Sequence, residues 1–182
     1  MEAAMIAAGE IAILNQVSIF RSVNVFGLFD IPVPNIDFIT VGIPHLMKSR
    51  NPHVLTLSPP LNLNPKWFKD HVAYSMAKYG MSMCTLGMAA EFAPNGIAVN
   101  SLWPRTTIAT AAVETFFPQA VASSRKPAIM ADAAYIIVTR DSRSTTGNFF
   151  IDEAVLRAHG VTDFDQYAVT PGVPLFNDIF LD

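Results

Sequence analysis

HVAYSMAKYGMSMCTLGMAAE, residues 71–91, decides how the chain is read. Small and apolar residues recur in it at helical spacing (Ala73, Ala77, Met81, Thr85, Met88), which predicts one long amphipathic helix. Tyr74 and Lys78 stand four apart, so their side chains share one helix face, one turn apart. A free phenol ionises near pH ~10 and a neighbouring ammonium favours the phenolate, so Tyr-x-x-x-Lys is a candidate acid–base couple. Taken alone, the same pair is an ordinary helix-face pattern.

The segments on either side alternate between strand and helix signals. Glu10–Asn15 (EIAILN) and His53–Leu57 (HVLTL) are apolar runs suited to buried strands, the second stopped by Ser58-Pro59-Pro60. Pro32 and Pro34 predict a break near residues 30–37, followed by a short helix up to residues 45–48. Leu61–His71 reads as a loop before the long helix. Asn95-Gly96 is a C-cap and turn, Ile97–Leu102 a strand closed by Trp103-Pro104, and Thr106–Phe117 a helical flap. Pro127–Thr139 starts on proline and continues with apolar spacing as a helix. Asn148–Asp152 is a last strand, and from Glu153 a short helix leads into a proline-punctuated tail. The aromatic stretch Phe176–Phe180 packs either across the domain or on a partner. Strands separated by helical crossovers predict an α/β fold with a parallel sheet, whose ligands sit at the carboxyl ends of the strands: residues 15–18, Ser58, Pro104 and Asp152.

Composition narrows the function. The 182 residues suffice for one domain; 51% are hydrophobic and 15% charged, with a net charge of −3. No basic patch invites nucleic acid, and no run is long enough for a membrane span. The single cysteine, Cys84, forms no internal disulfide and reads as a buried structural thiol in an intracellular setting. His45, His53, His71 and His159 lack ligand spacing, so no metal site is expected. The methionines at 76, 81, 83 and 88 read as helix packing, and Trp67 and Phe68 as a pocket rim or a loop core.

The order of motifs resembles the C-terminal two-thirds of a short-chain dehydrogenase/reductase: VNVFG at Asn24, HVLTLS at Ser58, AYSMAKYGM at Tyr74, FAPNGIAVNSLWP through Pro104 and TTGNFFID at Gly147. Residues 53–182 carry the match and residues 1–52 diverge, so the chain reads as a single partial domain. The resemblance implies the C-terminal part of a Rossmann-like, doubly wound parallel sheet with the first three strands missing. It implies an NADP(H)-dependent oxidoreductase acting on a carbonyl or alcohol of a lipid or acyl substrate, in a peroxisome or mitochondrion. Tyr74 would exchange a proton with the substrate, and Lys78 would lower the Tyr74 pKa and hold the nicotinamide ribose. Asn24 would steady a proton-relay water, and Ser58 would orient substrate or merely end its strand. Pro104, Arg105 and Thr106 would open the segment over the nicotinamide, with Arg105 on a phosphate or in solvent; Asn15 is what remains of a cofactor-contacting asparagine motif. A homo-oligomer would form through the helices of Asn24 and Tyr74.

The sequence departs from the family's pattern at the front. No Gly-rich turn precedes Asn24, and such a turn supplies the backbone N–H groups that grip a pyrophosphate. By the resemblance, lacking it would weaken dinucleotide binding and would leave the EIAILN strand as an apolar edge. The second reading is therefore a non-catalytic truncated form acting as a binding or oligomerisation module.

Overall fold

Strands β2 (His53–Thr56) and β3 (Ala98–Trp103) are buried along their whole length, as apolar strands of a parallel sheet must be when helices cover both faces. The computed structural model describes residues 12–15 and 42–182. Asn24 and the proline-bearing segment near residues 30–37 lie outside them. Among the described residues the sheet has four parallel strands in the order β1 (Ala12–Asn15), β2, β3, β4 (Phe149–Ile151). Val54 pairs with Val99 and Leu55 with Asn100, which sets odd and even positions of the two strands on opposite faces.

One face is covered by the long helix α1 (Val72–Phe92), whose Met88 and Ala89 join Val54, Ile97, Val99 and Leu46 in one core cluster. Leu46 comes from a helical turn at residues 42–46. The other face carries α3 (Ala128–Val138) and α4 (Asp152–Ala158), where Ile129, Ile137, Val155 and Leu156 pack on Leu55 and Leu102. α1 ends where Pro94 and Gly96 require it to. A short 3₁₀ turn follows Phe92, and Gly96 takes φ 71°, a left-handed conformation that glycine adopts without strain.

Three expectations need correction. The flap is helical only over α2 (Ala111–Phe116). Thr106 instead pairs antiparallel with Asn177 and Ile108 pairs with Arg125, and these backbone bonds pull residues 106–109 out of helix. The loop before α1 contains a 3₁₀ turn, Pro65–Trp67, started by the Asn64 side chain accepting from the Lys66 N–H at 3.1 Å. Of the inward-facing set expected for α1, Ala73 is exposed. Met81 and Met88 pack in the core, while Met76 and Met83 face outward. Cys84 is half-buried beside the Val54–Val99 cluster.

A polar lock joins β3 to β4. The buried Asn100 side chain donates to the Thr145 carbonyl at 2.7 Å and accepts from the Asn148 N–H and side-chain amide, each at 3.0 Å. Replacing Asn100 by Ala should strand these groups in the core at about 1–3 kcal/mol per unsatisfied group. A drop of that order in the urea unfolding free energy is the expected result, larger than for Asn51→Ala at the half-buried amino end of β2.

Candidate active site

The segment after β2 cannot continue the ladder, because Pro59 and Pro60 have no N–H to give. Its carbonyls turn toward α1, and four side chains of that helix meet them. Lys78 Nζ donates to the Leu57 carbonyl at 3.0 Å, Ser82 Oγ to Pro59 at 2.6 Å and Tyr79 Oη to Asn62 at 2.6 Å. Ser75 Oγ donates to the carbonyl of Trp67. The buried face of α1 is thus part polar, and it fixes the loop that edges the site.

Tyr74 and Lys78 line one cavity of about 490 Å³ at the carboxyl ends of β2 and β3. Leu57, Leu102, Trp103 and Pro104 come from the strand ends, Ile108, Thr110 and Val113 from the flap, and Met130, Ala131 and Ala134 from α3. The lining is apolar except for Tyr74, Lys78, Thr110 and Asp178. Lys78 Nζ also sits 5.3 Å from the centre of the Trp103 ring. The Tyr74 hydroxyl has no hydrogen-bond partner among the described residues, while its ring stacks on Phe180 with the planes 4° apart and centroids at 5.9 Å.

The tail therefore packs across the domain. Phe180 is buried and also contacts Trp67, Tyr79 and Trp103, with centroids 4.9–6.2 Å apart. Trp103 Nε1 donates to the Ile179 carbonyl at 3.0 Å, and the Asp178 N–H donates to the Arg105 carbonyl at 3.1 Å. Lys66 pairs with Asp182. Trp67 and Phe68 belong to this aromatic cluster and form the core of their loop.

Burial, helped by the Asp178 carboxylate, pushes the Tyr74 phenol well above its usual range. This differs from the expected lowering by Lys78: the ammonium is turned to the Leu57 carbonyl, and the charge that acts on the phenol is the negative one of Asp178. Burial lowers Lys78 to about 8 against the pull of Asp178, and raises Asp178 to about 7, with Asp152 adding to the rise.

The other expected residues are divided. Pro104 lines the cavity. Arg105 does not reach into it: its N–H donates to Asp152 Oδ1 at 2.8 Å and its guanidinium to the Asp182 carbonyl at 3.2 Å. Thr106 and Ser58 are buried, each hydroxyl without a hydrogen-bond partner among the described residues, and neither lines the cavity. Asn15 ends β1 opposite Thr56. Asp178 and Phe180 were not among the candidates, since nothing in the spacing of NDIFLD ties it to a helix a hundred residues earlier.

No family model matches the chain. A protein from Xanthomonas campestris assigned as a dehydrogenase has a crystal structure that superposes with a TM-score of 0.80 at 41% identity, over 99% of this chain and 70% of that one. A short-chain dehydrogenase from Mycobacterium thermoresistibile gives 0.77 at 41% identity, over 94% of this chain and 64% of its own. The chain belongs to the short-chain dehydrogenase/reductase family. Hydroxysteroid dehydrogenase-like protein 2 of Danio rerio is 60% identical over 141 residues, 77% of this chain. This short-chain dehydrogenase/reductase chain spans about a third of the length of the curated relatives it matches. The Rossmann-like parallel sheet expected from the sequence is the fold observed. No helix among the described residues is long and apolar enough to cross a membrane.

Asp178 and Lys78 act on stability with opposite signs. The folded state holds the Asp178 proton more tightly than the unfolded chain, so its contribution is full below 3.8 and is lost as pH rises through about 7. The folded state releases the Lys78 proton more readily, so its penalty is full below about 8 and lifts toward 10.5. Unfolding midpoints in urea from acid to alkaline pH should show wild type losing stability relative to Asp178→Asn between 3.8 and about 7. A difference that stays flat across that window would assign the loss to another group.

Proposed function

We propose that this chain carries the acid–base site of a nicotinamide-dependent oxidoreductase that interconverts an alcohol and a carbonyl on a lipid or acyl substrate, with NADP(H) as the coenzyme. The observation that carries this reading is the convergence of Tyr74 and Lys78 on one largely apolar cavity at the carboxyl edge of the sheet. A 4-hydroxyisoleucine dehydrogenase of the same fold, 16% identical with a TM-score of 0.59, has been solved with NADH and succinate. The residues here suit the nicotinamide end of such a cofactor. The Lys78 ammonium has three donors and gives one to Leu57, which leaves others for ribose hydroxyls, and Pro104 borders the same space.

The bound nicotinamide supplies or accepts the hydride at the reacting carbon. In reduction the Tyr74 hydroxyl gives its proton to the carbonyl oxygen as the alcohol forms, and in oxidation it takes that proton back. A phenol held protonated by burial is in the correct state to donate at neutral pH. Lys78, held by the Leu57 carbonyl in the same lining, serves to bind the cofactor's ribose. By the family resemblance Asn24 would steady a proton-relay water and Asn15 would touch the cofactor, whereas Ser58, Arg105 and Thr106 do not line the Tyr74–Lys78 cavity and take no part in the proton transfer. Val72, Met76, Met83 and Leu86, exposed on α1, fit a homo-oligomer formed through this helix.

The test is a fluorescence titration of the purified chain with NADPH and NADH, followed by turnover of medium-chain ketones and alcohols. Saturable NADPH binding is expected, weakened by Lys78→Ala. Tyr74→Phe should keep binding and lower turnover about 10²–10⁴-fold, the share a positioned general acid supplies. A flat NADPH titration at high protein concentration rejects the reading in favour of a non-catalytic binding module.

A further inference from the structure

Two formal charges line the cavity, the Lys78 ammonium and the Asp178 carboxylate. Asp178 is firmly held. Its N–H is bonded to Arg105, its carboxyl accepts from the Ile179 N–H, and the next residues are fixed by Trp103 Nε1 and by the burial of Phe180. The backbone at Asp178 cannot leave the site without pulling Phe180 out of its four-ring contact.

With Lys78 as its only charge, an apolar cavity of this kind would draw in anionic head groups, because an ammonium in a poorly solvating pocket gains strongly from a carboxylate or phosphate. Asp178 lines the same cavity and acts electrostatically on Lys78, so its carboxylate opposes that charge and repels an entering anion. An uncharged hydroxyl meets no such repulsion. It can donate to Asp178, and a carbonyl can accept from Tyr74.

We propose that Asp178 is a specificity-determining residue of this cavity, setting it to take apolar molecules with an uncharged alcohol or carbonyl head and to reject those with a carboxylate or phosphate head. The proposal rests on the oxidoreductase reading only in making that head the reacting group. The charge selection is a property of binding.

Trp103 lines the cavity, so its emission reports occupancy. The full chain is titrated with 1-decanol and with decanoate at about pH 7.5, between the ionisations of Asp178 and Lys78. Wild type should bind decanol at least about tenfold more tightly than decanoate, and Asp178→Asn should move the ratio about ten- to a hundredfold toward decanoate. Asp178→Glu, which keeps the charge, should restore the wild-type preference. A merely structural role would weaken both ligands together and leave the ratio alone. An Asp178→Asn ratio within about twofold of wild type, a parallel loss of both ligands, or no saturation of wild type by decanol overturns the proposal. NADPH binding is scored separately. A chain that binds NADPH with an unmoved ratio keeps the redox reading and loses this one, and a flat NADPH titration with a shifted ratio does the reverse.

Discussion

The carbonyls that follow β2 have no strand to pair with, and the fold depends on how they are satisfied. Two consecutive prolines end the ladder, so the chain from Leu57 to Trp67 arrives at the sheet edge with carbonyls that no neighbouring strand pairs. Buried acceptors without partners would cost the fold, and Ser75, Lys78, Tyr79 and Ser82 on one side of α1 provide the donors. This explains why the buried face of the central helix contains hydroxyls and an amine where an apolar stripe would be expected. It also sets the distance between α1 and the carboxyl end of β2, and that distance is one dimension of the cavity.

The second constraint is aromatic. Phe180 sits among Tyr74, Tyr79, Trp67 and Trp103, so the end of the described chain, the loop before α1, the helix itself and β3 meet at one buried side chain. Deleting a buried phenylalanine typically costs about 3–5 kcal/mol, and here the cost would fall on four segments at once. The same contact brings Asp178 to the site. Packing and charge selection in this cavity therefore share one short segment, NDIFLD.

Much of this was legible in the sequence, for identifiable reasons. β2 and β3 are short β-branched or apolar runs ended by proline, α1 keeps its helical period for five turns, and Gly96 marks its end. Tyr74 and Lys78 could be paired because helical spacing alone puts them on one face. What could not be read is what depends on distant contacts. Residues 106–109 have helix-compatible composition, but pairing with Arg125 and Asn177 overrides it. Asn100 looks like any polar residue in a strand until Thr145 and Asn148 close around it. Asp178 carries no period or motif, and only the burial of Phe180 two residues on makes its position meaningful. Helical spacing puts Ala73 in the inward set, and Met76 and Met83 read as helix packing, yet the sheet reaches only the face that contains Ala77, Met81 and Met88.

The unequal footing of the two central residues has an evolutionary consequence. Lys78 is needed by the Leu57 carbonyl whether or not any chemistry occurs, whereas the Tyr74 hydroxyl meets no described residue and its ring would stack on Phe180 equally well without the oxygen. In a lineage released from catalysis, the phenol should decay to phenylalanine while the lysine persists. A Phe-x-x-x-Lys descendant would thus be the fossil of a lost reductase, and the tyrosine that this chain still carries is the more telling member of the pair.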